Sequence, residues 1–65
     1  MDIIDEVLAA DVMEGDIIRH NGSEYEIIRV EDHDENMLFV LENDEEVSVR
    51  WDSKVSLYGY VEVEV

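Results

Sequence analysis

The sequence predicts a small all-β domain, a barrel or sandwich of five or six short strands. Three observations predict it. Branched aliphatic and aromatic residues fall in short runs rather than long ones. Turn-forming Gly, Asn and Asp separate those runs at roughly the eight- to twelve-residue spacing of all-β chains. Residues Tyr60–Val65 alternate strictly between apolar and acidic, the period of a strand.

The first ten residues are read differently. Ile3, Ile4, Val7 and Leu8 stand at i, i+1, i+4 and i+5, with Asp2, Asp5 and Glu6 between them. That spacing predicts a helical turn over 1–10, with acids at its positive end. Asp11–Asp16 reads as a turn in which Gly15 supplies a positive φ. Ile17–His20 is a strand, and Asn21-Gly22 is the strongest short-range hairpin signal. Glu24–Val30 is the returning strand, rich in β-formers. Glu31–Asn36 is polar throughout and is expected to be a loop.

Met37–Leu41 is a continuous apolar run and is expected to be the central strand. Asn43-Asp44 marks a second tight turn. Glu45–Trp51 alternates, with Val47, Val49 and Trp51 on one face, and Phe39 and Trp51 are expected in the core. Asp52–Lys54 connects to a strand over Val55–Tyr58, and Gly59 is expected to break or bend the chain. Tyr60–Val65 alternates strictly and is expected to be a terminal strand, leaving open whether it pairs within the chain or with another. The whole reads as a single domain over 1–65: a helical turn at 1–10, a barrel at 11–58 and a strand at 60–65.

The stretch Val12-Met13-Glu14-Gly15-Asp16-Ile17-Ile18, followed by Gly22-Ser23-Glu24-Tyr25-Glu26-Ile27-Ile28, resembles the opening of SH3-like β-barrels. It has their Gly-Asp turn, their first strand, and their Gly-containing turn before an aromatic residue. KOW-type modules and many small phage-encoded domains are similar. The resemblance spans about residues 11–58 and implies a strongly bent, five-stranded barrel. The chain departs from the nucleic-acid-binding members, which present basic and aromatic surfaces.

Charge dominates the functional reading. Nineteen acids oppose four bases, a net charge of −15. The imbalance is spread along the chain, with −8 over residues 1–33 and −7 over 34–65. Such a surface repels nucleic acid and anionic lipid, because affinity for a phosphate backbone comes from Lys and Arg. Thiolate chemistry is excluded, since the chain has no cysteine. No glycine-rich phosphate loop or nucleophile elbow is present, and Glu31–Glu35 lacks the spacing of a calcium loop. No cofactor or metal is expected, and the chain is not expected to be an enzyme. Its acidic start lacks the basic region of a secretory signal, and no apolar run approaches the roughly 20 residues of a membrane span. A cytoplasmic location is expected.

The expected function is a non-catalytic protein-binding module, of phage or accessory type, that docks on a basic surface of a host or virion protein. The alternative is a DNA or RNA mimic that inhibits a polymerase, nuclease or repair enzyme. The candidate contact residues are the acids Glu31, Asp32, Asp34, Glu35, Asp44, Glu45 and Glu46, with Tyr58 and Tyr60 as aromatic anchors. Aromatic side chains are favoured at the desolvated centre of such interfaces.

Overall fold

A computed structural model describes residues 1–60. It contains six strands and one short 3-10 turn: β1 (Asp2–Leu8), the turn Ala9–Asp11, β2 (Ile17–His20), β3 (Ser23–His33), β4 (Asn36–Leu41), β5 (Glu46–Arg50) and β6 (Lys54–Gly59). All strand pairs are antiparallel. β2-β3-β4-β5 form one curled sheet, and β1 pairs with β6 in a separate two-stranded ribbon. The all-β expectation holds. The expected terminal strand, apart from Tyr60, lies outside the described residues.

The turns follow their local chemistry. Asn21 (φ 51°) and Gly22 (φ 81°) both take positive φ, as a two-residue hairpin turn requires. Gly15 has φ 93°. Its N–H donates to the Ile27 carbonyl (2.8 Å), and the Ile27 N–H donates to the Asp16 carbonyl (2.8 Å). The Asp16 carboxylate also accepts from the Met13 N–H at 2.9 Å, which closes the turn ahead of β2.

β4 is an inner strand of the sheet, and its burial alternates. Met37, Phe39 and Leu41 are buried, whereas Leu38 and Val40 are half-buried. The register places Phe39 opposite Val30 and Val47, and Met37 opposite Val49, so these residues share the inner face. Ile18, Ile27 and Leu57 join them, with Ala9 and Val12 sealing one end. A register shift between Ile27 and Arg29 leaves Ile28 exposed; bulges of this kind bend a strand and help curl a sheet.

Four expectations are corrected. Residues 2–8 are a strand, not a helix, and only Ala9–Asp11 turns helically. β1 finds its partner in β6, 46 to 57 residues away, and that ladder satisfies the backbone groups a helix would have paired internally. Glu31–His33 is not loop but the end of β3, because pairing with Asn36–Leu38 continues to a two-residue turn at Asp34-Glu35. Trp51 leaves the core. β5 ends at Arg50, a turn begins at Trp51, and the indole is 44% exposed. Gly59 does not break β6 but lies within it, opposite Asp2.

Candidate acidic binding surface

The candidate acids fall at opposite ends of β4. One group, Asp32, Asp34 and Glu35, sits around the β3–β4 turn, and Asp34 takes φ 58°. The other, Asp44, Glu45 and Glu46, sits at the β4–β5 turn, where the Leu41 N–H donates to the Glu45 carbonyl at 2.8 Å and Asp44 takes φ 67°. β4 is six residues long, so about 20 Å of strand separates the two turns. One surface does not gather them all.

Glu31 belongs to neither turn. It lies on β3 opposite Leu38, on the sheet's outer face, with its carboxylate 2.7 Å from Arg29 and 3.2 Å from the His33 ring. These neighbours hold its pKa below the ordinary glutamate value, His33 contributing most. Glu24 on the same face is likewise lowered, by its hydrogen bond from Arg19 at 3.0 Å. Tyr58 is half-buried beneath the Arg19 guanidinium, whose carbon lies 4.6 Å from the ring centre. Tyr60 is almost wholly exposed. Neither tyrosine adjoins the acidic turns in the strand pairing; Ile3 stands opposite Tyr58.

Every basic side chain already faces a carboxylate. Arg19 meets Glu24, Arg29 meets Glu31 (2.7 Å), Arg50 meets Asp52 (2.9 Å), and Lys54 stands 3.9 Å from Glu6. The strands of the outer sheet face are therefore close to locally neutral. Among the described residues, most of the carboxylates without such a cation lie on β1 and in the turns.

The β3–β4 turn has a neighbour that sequence reasoning placed elsewhere. The Trp51 N–H donates to the Glu35 carbonyl at 2.9 Å, and the Trp51 carbonyl accepts from the Ala10 N–H at 3.0 Å. These bonds fix Trp51 between the acidic turn Asp34-Glu35 and the 3-10 turn that ends in Asp11, with Asp52 next along the chain. The exposed Trp51 is thus held by its backbone at the acidic end of the sheet. The signal that could have found it was its position: one residue past Arg50 and directly before the turn-forming Asp52-Ser53.

At the opposite end, His20 Nε2 lies 3.0 Å from Glu45 Oε2, beside Asn21. Among the described residues, no group of three or more His, Asp or Glu side chains is arranged to hold a metal ion. No helix there is long and apolar enough to cross a membrane. Comparison with family models, with curated proteins and with solved structures finds no match to this chain.

Proposed function

We propose that this protein is a non-catalytic binding module that docks on a basic surface of another protein. The contact is centred on the turn end that holds Asp34, Glu35, Trp51 and Asp52. The single observation that carries this reading is the exposed Trp51 among carboxylates that have almost no cation to neutralise them; Asp52 alone of the set is paired. An indole face attracts Arg and Lys as well as supplying apolar contact, so it suits a cationic partner twice over. The surrounding acids speed association and make it salt-sensitive. The curled sheet and its ribbon are read as a partly open SH3-like barrel, on the strength of the Gly15-Asp16 turn and the Asn21-Gly22 hairpin that follows it.

The distribution of charge favours docking over mimicry of a nucleic acid. A mimic needs carboxylates in a continuous row, at spacings comparable with phosphates. Here the outer strand face interleaves Glu24, Glu26, Glu31 and Glu46 with Arg19, Arg29 and Arg50.

The test is affinity capture from lysate at low and high salt, with the bound proteins identified by mass spectrometry. The expected result is one or a few basic proteins released by salt. Trp51→Ala should weaken capture by about thirtyfold, the scale of an interface hot spot of about 2 kcal/mol. Asp34→Asn with Glu35→Gln should weaken it less and reduce its salt dependence. Capture unaffected by all three substitutions overturns the reading, and capture abolished by excess duplex DNA favours the mimic instead.

A further inference from the structure

The curled sheet runs β2-β3-β4-β5, so β2 and β5 are its outermost strands and are not neighbours in that order. A side-chain contact nonetheless joins their ends. His20 closes β2, and Glu45 ends the turn that leads into β5 at Glu46. The His20 Nε2 lies 3.0 Å from Glu45 Oε2. The backbone holds Glu45 in place: its carbonyl accepts from the Leu41 N–H at 2.8 Å, and its N–H donates to Asn43 Oδ1 at 3.2 Å. The two side chains therefore meet across the sheet, from turns that the chain order keeps apart.

The same ring nitrogen has a second neighbour. The Asn21 Nδ2 stands 3.3 Å from His20 Nε2. A ring nitrogen either carries hydrogen and donates or presents a lone pair and accepts. An ionised carboxylate only accepts, whereas an amide nitrogen only donates. Glu45 thus calls for hydrogen on Nε2, and Asn21 calls for its absence. One atom cannot serve both at once. A protonated ring carries hydrogen on both nitrogens, which turns Nε2 to Glu45 and adds opposite charge to the bond. The other groups on the elements that meet here are known. Ser23, opposite His20 on β3, is uncharged, and Arg19 is engaged by Glu24 on the neighbouring rung at 3.0 Å. Asp44 and Glu46 flank Glu45 along the chain.

We propose that His20 is a proton-operated switch between the two outer strands of the sheet. With the ring protonated, Nε2–H donates to Glu45 and ties the end of β2 to the β4–β5 turn. When the ring releases one proton to solvent and keeps the other on Nδ1, Nε2 accepts from the Asn21 amide. The tie across the sheet is then released, and the Glu45 carboxylate stands uncompensated beside Asp44 and Glu46. Histidine makes this change between about pH 5 and 8. His33 is not an equivalent. Its Nε2 faces Glu31 on its own strand, so its proton joins nothing across the sheet. The switch stands at the other end of β4 from Trp51 and does not depend on the docking role given to that end.

The experiment follows the isotope-labelled full chain by NMR from pH 5 to 8. The Glu45 side-chain carboxyl and the Asn21 side-chain amide should both move with the midpoint of the His20 ring. Cross-relaxation between the His20 ring and the Glu45 γ-methylene should weaken about two- to threefold over that range, the scale of one exposed ion pair. The corresponding signal to the Asn21 amide should strengthen. His20→Gln should remove the step at Glu45, and His33→Gln should leave it unchanged. A Glu45 step that survives His20→Gln, or that follows His33 instead, overturns the proposal. So do ring contacts to Glu45 and Asn21 that stay constant while the ring titrates, since the charge would then change without any exchange of partner.

Discussion

β4 and β1 are both strands with adjacent apolar residues, yet they fare differently. β4 lies between β3 and β5 and buries Met37, Phe39 and Leu41. Among the described residues β1 has one hydrogen-bonded neighbour, and Ile3 and Ile4 are each 57% exposed. The register shift between Ile3 and Asp5 adds to this, since the extra residue turns the alternation over midway. A strand flanked on both sides inherits its burial from the sheet. A ribbon strand buries only what the body beneath it reaches, here Val7 more than Ile3 or Ile4.

The contrast can be broken by substitution. Phe39→Ala should cost about 3–5 kcal/mol, enough to leave so small a domain largely unfolded, as a loss of the cooperative transition in urea would register. Ile4→Ser, an apolar deletion on the ribbon, should change stability by only about 0.5 kcal/mol in the same measurement. A large loss from Ile4→Ser would mean that the ribbon end is covered in solution. The smallest effect is one of titration. Glu24 and Glu31, paired with arginines on the strands, should titrate below the ordinary glutamate value in a side-chain NMR titration, Glu31 through His33 and Arg29. Because their folded pKa values are depressed, the stability they contribute is present above the unfolded value and is lost as pH falls through the folded one. Were Arg29→Gln to leave the Glu31 midpoint unmoved, the pair would carry no weight.

Much of the sheet was legible in the sequence because its signals are local. Asn21-Gly22 can form a tight hairpin with almost any flanks, and Gly15 takes the positive φ its turn needs. The β4 run could be read as central because five consecutive apolar residues need burial on both faces or close to it. Less of the candidate site was legible. The acids were found by type, but their division between two ends of β4 depends on antiparallel register. Trp51 was misplaced because alternation along β5 predicts an inward side chain, and that pattern outweighed the turn-forming Asp52-Ser53 directly after it.

The amino-acid order by itself determined the all-β class, the turns and the excess of carboxylates, since each follows from steric preference or charge within a few residues. Only the tertiary structure decided that residues 2–8 are a strand and that Trp51 faces solvent. Each of these depends on a partner distant in sequence: β6 for β1, and the Glu35 and Ala10 backbone for Trp51. Pairing over such separations is set by what the whole chain can bury together, and no local pattern encodes it.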